Sequence, residues 1–85
     1  LELLRVIKVA LLTGAERVYL VHNHPGGNPT GHAVDATTTM TVLRALRCLG
    51  VSLEEHLVVA SRGRYSFRGQ GKIAKYIKQL EELGC

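Results

Sequence analysis

The 85-residue sequence is poor in cysteine, in proline and in long apolar runs. Its two cysteines, Cys48 and Cys85, have no CxxC spacing, which argues against a disulfide framework and favours the reducing cytoplasm. No run of about 18 uncharged apolar residues exists, so the sequence predicts no membrane span. Glu2, Arg5 and Lys8 interrupt the apolar start, which also lacks a cleavage-site pattern and therefore does not look like a secretory leader.

Length and composition predict a single domain over residues 1–85. Hydrophobic side chains make up 46% of the chain, enough for one core. A domain of this size buries only about 60–65% of its unfolded surface, so we expect marginal stability. Because the sequence opens on Leu1 inside a helical pattern, we also expect that upstream residues are missing.

Basic side chains outnumber acidic ones by 11 to 7, and the formal net charge is +4. Six of the 11 basic residues lie between Arg62 and Lys78. A solvated basic face is the simpler interpretation of this segment, and contact with the phosphates of DNA is the alternative.

The spacing of apolar residues predicts the order helix, strand, helix, hairpin, helix. Polar residues every third position give the first helix a narrow polar stripe, which indicates a mostly buried helix. The first strand is apolar without alternation, which indicates that both of its faces are covered. Cys48, within the second helix, is expected to pack in the core. The predicted segments are 1–12, 17–21, 35–49, 56–60, 64–67 and 73–83, with a loop over 23–31 that contains both prolines.

Three side chains form a candidate metal site: His22 and His24 at the end of the first strand, and Asp35 at the start of the next helix. Residues two apart on a strand point to the same face, so both imidazoles can aim at one point. Two imidazoles and one carboxylate suit Zn²⁺. In catalytic sites Zn²⁺ keeps a fourth position for a water, whose pKa falls to about 7. Taken singly, each histidine is more simply structural or exposed, and Asp35 more simply a helix N-cap.

The segment from His22 to Thr30, HNHPGGNPT, resembles the loop written HNHPSGDPTPS in the RadC branch of the JAB/MPN metalloproteases. Asp35 with Thr39 resembles the DxxxT that follows, and the resemblance continues to about Ile73. It implies a zinc-dependent peptidase or isopeptidase with His22, His24 and Asp35 as ligands. It also implies a three-layer α/β/α sandwich of the cytidine-deaminase-like type, with a mixed sheet whose N-terminal strands this sequence lacks.

Two departures from the family pattern affect the expected chemistry. His32 stands where the family has serine, so it could donate to the charged intermediate as a catalytic group, bind the metal or face solvent. The family's catalytic glutamate lies on a strand upstream, a position that Glu2 does not match, and nothing in the pattern brings Glu54 or Glu55 to the metal. Without a positioned base, proton transfer would lose about 10²–10⁴-fold in rate. His56 matches a family position that is not a ligand, and we expect it to be buried and hydrogen-bonded.

Three functions are therefore weighed for this sequence. The first is a metallohydrolase acting on a peptide or protein, and the second is a catalytically impaired binding or scaffold module. The third is DNA association, suggested by the basic segment and by the DNA-repair label attached to RadC-like proteins. No membrane contact is expected, whereas an exposed sheet edge would favour a homodimer or pairing with a missing N-terminal segment.

Overall fold

The computed structural model describes residues 3–24, 26–27 and 33–85. The predicted order of elements is confirmed, and the domain is of the α/β class. Its elements are α1 (Leu3–Thr13), β1 (Arg17–Asn23), α2 (Ala33–Cys48), β2 (Ser52–Ala60), β3 (Gly63–Ser66) and α3 (Lys72–Glu82). No helix within the described ranges is both long enough and apolar enough to cross a bilayer.

The sheet is mixed and has the strand order β1-β2-β3. β1 and β2 are parallel, because α2 carries the chain back to the starting end of the sheet. β3 is antiparallel to β2 and follows it through a tight turn at Ser61 and Arg62, which confirms the predicted hairpin. Parallel pairing brings the carboxyl end of β1 beside the carboxyl half of β2.

A bulge in β2 decides which side chains face the core. The partner of Val18 is Leu53, but the partner of the next residue, Tyr19, is Glu55, so Glu54 is an extra residue in the strand. Strand side chains alternate, so without the extra residue Leu53 and His56 would point to opposite faces. With it, both are buried on the same face, and His56 is 0% exposed.

One hydrophobic core lies between this face of the sheet, here called the inner face, and all three helices. α2 contributes three of its members and crosses β2 directly. α2 ends at a Schellman motif, in which Gly50 (φ 74°) donates to the carbonyl of Arg47 and Val51 to that of Leu46, as the predicted glycine cap requires. The buried core residues are Ala10, Leu20, Val42, Leu43, Leu46, Val51, Leu53, Val58, Phe67, Ile73 and Leu80.

Two expectations about burial are wrong for the described part of the chain. In α1 only Ala10 is buried, and Leu12 is 86% exposed. On β1, Tyr19 and Val21 lie on the face opposite the core, here called the outer face, and are 60% and 68% exposed. An apolar run predicts side chains that avoid water. It does not show that other described residues cover those side chains.

The expectation for Cys48 is also wrong, because this cysteine is exposed. Successive helix residues are about 100° apart, so Cys48 lies about 200° around α2 from the fully buried Leu46. The side of the helix that carries Cys48 therefore faces away from the core.

Candidate metal centre

The end of β1 presents two imidazoles on the inner face of the sheet. His22 follows the buried Leu20 by two residues and shares its face, and His24 continues the same alternation. The backbone N–H of His24 donates to the carbonyl of Val59 at 2.8 Å, so β2 holds the chain just beyond the end of β1. The two imidazole rings are 4.7 Å apart at their centroids and nearly perpendicular, at 81°.

Asp35 approaches both imidazoles from the first turn of α2. Its Oδ1 lies 3.6 Å from Nδ1 of His22, and its Oδ2 lies 3.3 Å from Nε2 of His24. One ligand atom from each of the three residues lies within 4.8 Å of the others. The exposed side-chain fractions are 34% for His22, 19% for His24 and 8% for Asp35. The three residues, here called the His–Asp cluster, thus meet at the margin of the core.

The His–Asp cluster fits a small divalent cation. Two imidazole nitrogens and one carboxylate oxygen are ligands that zinc prefers, and one such atom from each residue lies within 4.8 Å of the others. Within the described chain, the buried Oδ2 of Asp35 receives no hydrogen bond. A buried carboxylate oxygen without a donor is costly, and a cation shared with the two imidazoles would remove that cost.

His56 lies directly behind the His–Asp cluster and is buried and hydrogen-bonded, as expected from the sequence. Its ring stacks on that of His22, with centroids 5.9 Å apart and planes at 15°. Its Nδ1 lies 2.5 Å from Oγ1 of Thr39, which is also fully buried. Burial is the main effect that lowers the pKa of His56, and the neighbouring His22 lowers this pKa further. Asp35 acts in the opposite direction. Burial and His22 both disfavour the charged form of the His56 ring.

The sequence profile of the RadC-like JAB domain matches residues 2–72. The chain belongs to the RadC-like JAB domain family. A UPF0758 protein of Thermotoga maritima is 41% identical over 68 residues, which are 80% of this chain and 31% of that protein. The UPF0758 protein YfjY of Escherichia coli K12 is 39% identical over 66 residues, which are 78% of this chain and 41% of that protein. This RadC-like chain thus spans less than half the length of these relatives.

The carboxylates of Glu54 and Glu55 have other contacts in the RadC-like domain. Glu55 accepts hydrogen bonds from the hydroxyl of Ser66 at 2.5 Å and from the backbone N–H groups of His56 and Arg68, at 2.8 and 2.9 Å. Glu54 accepts from the hydroxyl of Ser52 and lies 3.6 Å from Arg68. Glu55 therefore ties the end of the hairpin to β2, and neither carboxylate joins the cluster found among the described residues.

His32 and Glu2 lie outside the described residues, and the roles discussed for them stay predictions. Sequence reasoning missed two contacts, one beside the site and one in the loop that follows β1. One is the pairing of His56 with Thr39, although the four-residue spacing of Thr39 from Asp35 does place it one helical turn behind the cluster. The other is the packing of Arg62 over Gly27, where a Cβ would lie 3.0 Å from Nε of Arg62. No local pattern in the sequence signals either contact.

Proposed function

We propose that this RadC-like domain is a zinc-dependent hydrolase domain that acts on an amide or isopeptide bond of a peptide or protein. One observation carries the proposal: two imidazole nitrogens and a buried carboxylate oxygen converge within 4.8 Å at the end of a strand. Two histidines and one carboxylate form a ligand set of hydrolytic zinc sites. The family resemblance supports the same reaction class.

Each residue of the His–Asp cluster has a distinct part in the proposed chemistry. When bound, zinc polarises a carbonyl oxygen and lowers the pKa of a coordinated water. His22 and His24 would hold the ion through imidazole nitrogens, and Asp35 would supply the negative charge that a divalent cation needs. His22 is the most exposed of the three, so a substrate carbonyl would approach from its side.

Proton transfer is the step of the proposed reaction with the fewest candidate groups among the described residues. Glu55 accepts three hydrogen bonds, and Glu54 pairs with Arg68, so neither is proposed as the base. We retain His32 as a candidate hydrogen-bond donor to the charged intermediate, on its sequence position alone. Without a positioned base, turnover by this chain is expected to be about 10²–10⁴-fold slower than with one.

The alternative function is a metal-containing binding module without turnover. It is favoured because neither Glu54 nor Glu55 is free to act as the base. The two functions differ in one measurement on a longer protein that contains this domain. Hydrolysis of a peptide or isopeptide substrate that is lost with His22→Ala supports the hydrolase, whereas stoichiometric zinc without any turnover supports the binding module.

Zinc content tests the ligand assignment. We expect one zinc ion per unmodified chain, and we expect His22→Ala and Asp35→Asn to weaken zinc binding by more than about 100-fold, because outer-shell contacts alone contribute 10–100-fold. Asp35→Asn preserves side-chain volume, so it separates lost charge from lost packing. Atomic absorption after dialysis and competition with a chromophoric chelator measure the stoichiometry and the dissociation constant.

Glu82→Gln serves as the control for this experiment, because it removes an exposed carboxylate at the end of α3, far along the chain from the cluster. It should bind zinc like the unmodified chain. Unchanged stoichiometry and affinity in both His22→Ala and Asp35→Asn would refute the assignment.

We also propose that the whole protein carries a third layer on the outer face of the sheet, which would complete the α/β/α sandwich. Two features support this proposal: Tyr19 and Val21 expose apolar surface on that face, and β1 is an edge strand of the described sheet. Exposed edge strands with apolar side chains commonly pair with further chain or with a second copy.

A further inference from the structure

Three aromatic rings form a continuous stack that ends at the His–Asp cluster. Phe67 stacks on His56, with centroids 5.0 Å apart and planes at 11°, and His56 stacks in turn on His22 at 5.9 Å and 15°. Phe67 and His56 are 2% and 0% exposed. The orientation of the candidate ligand His22 is therefore restricted by a ring that is itself held in the core.

The same imidazole also reaches the other side of the His–Asp cluster, through Thr39. The hydroxyl of Thr39 donates to the backbone carbonyl of Asp35 at 2.7 Å. A hydroxyl has only one proton to donate, so the 2.5 Å contact between Thr39 Oγ1 and His56 Nδ1 requires that His56 donate. In this arrangement Nδ1 of His56 therefore carries a proton.

In the Nδ1–H tautomer, Nε2 of His56 is an acceptor. Nε2 is buried, and within the described chain it has no hydrogen-bond partner. A buried acceptor without a donor lowers stability, and a phenyl ring of similar size would avoid that loss. Packing alone therefore does not account for an imidazole at position 56.

We propose that His56 and Thr39 form a positioning pair for the candidate metal ligands, with the proton of His56 on Nδ1. His56 contacts His22 by ring stacking, and through Thr39 it anchors the first turn of α2, which carries Asp35. The pair thus links the strand that presents the imidazoles to the helix that presents the carboxylate. This inference rests on the proposed metal centre and adds to it two residues that do not bind the metal themselves.

The zinc dissociation constant tests the pair. We expect Thr39→Val and His56→Phe to raise it by about 10–100-fold, the usual effect of removing a partner that orients a metal ligand. Thr39→Ser keeps the hydroxyl and should restore near-normal affinity. Competition with a chromophoric chelator measures each constant, and circular dichroism establishes that each variant is folded.

Thr41→Val is the matched control. Its hydroxyl makes the same kind of bond, to the carbonyl of Thr37 at 2.9 Å, but on the exposed side of α2. It should bind zinc like the unmodified chain. If Thr39→Val and His56→Phe also bind zinc normally, the positioning pair is refuted while the metal centre stands. If the unmodified chain binds no zinc, both proposals fail together.

A second measurement needs no variant. Long-range ¹⁵N–¹H correlation spectra of the metal-free chain report which nitrogen of His56 carries the proton. We expect Nδ1, because only that tautomer satisfies both contacts of Thr39. A proton on Nε2 would overturn the proposal even if Thr39→Val or His56→Phe proved unable to fold.

Discussion

Single residues in this domain have consequences far larger than their local preferences suggest. Asp35 read alone is most simply a helix N-cap, yet its carboxylate is buried and faces two imidazoles. His56 read alone is a core histidine, yet it contacts both sides of the candidate metal centre. In both cases the side chain's environment, rather than its residue type, determines the role that we assign.

Gly50 allows a prediction at the residue scale, because its backbone is left-handed at φ 74° and an added Cβ would meet nothing within 4 Å. Gly50→Ala therefore adds backbone strain without a steric clash, and we expect it to lower the free energy of unfolding by about 1–2 kcal/mol. Gly26 also has open space around its Cβ position, but its φ lies outside the left-handed region.

Gly26→Ala is thus the matched control and should change stability by no more than about 1 kcal/mol, in the stabilising direction if at all. Urea unfolding followed by circular dichroism measures both variants. Equal stability of Gly26→Ala and Gly50→Ala would show that the left-handed helix end does not need glycine.

At the scale of elements, the bulge in β2 matters most. Its extra residue, Glu54, changes the alternation so that Leu53 and His56 face the core together. The apolar pattern of residues 56–60 predicted a strand, but nothing in it revealed where the alternation shifts. The hairpin, in contrast, could be predicted from its local turn residues.

Deletion of Glu54 should restore regular alternation in β2 and thereby expel either Leu53 or His56 from the core. We expect a loss of more than about 2 kcal/mol of unfolding free energy, because either change leaves a core position empty or wrongly filled. Glu54→Gln keeps the bulge and removes only a partly exposed ion pair with Arg68, so it should cost less than about 1 kcal/mol.

Thermal unfolding of both Glu54 variants distinguishes register from charge. If the protein that lacks Glu54 is as stable as Glu54→Gln, the strand accommodates the change of alternation elsewhere. Because His56 also supports the candidate metal centre, the deletion should abolish zinc binding as well.

At the scale of the whole molecule, the helices and the inner face share one core, while β1 exposes Tyr19 and Val21 on the outer face of the described sheet. We expect the chain in isolation to self-associate through this outer face, since Tyr19 and Val21 lie on an edge strand. Tyr19→Lys and Val21→Lys should shift the chain toward monomer without lowering its stability. Sedimentation velocity over a range of concentrations measures the association.

Leu83→Lys provides the comparison, because Leu83 is 74% exposed but lies just beyond α3 rather than on β1. It should leave the association unchanged. A chain that is monomeric at all concentrations, or one that Leu83→Lys dissociates equally well, would exclude the outer face as the contact.

The sequence by itself determined the elements and the candidate ligands, because both depend on short spacings. Helical and strand periodicities predicted the element order, and the HxH pair with Asp35 predicted a metal site. It did not determine which apolar faces are covered, and so the expectations for α1, β1 and Cys48 were wrong.

Only the tertiary structure decided that His56 contacts Thr39, 17 residues away in the sequence, behind the candidate metal centre. That contact depends on the parallel pairing of β1 with β2, on the bulge and on the packing of α2. Each of these is a long-range interaction, whose free energy depends on residues that no local window contains together.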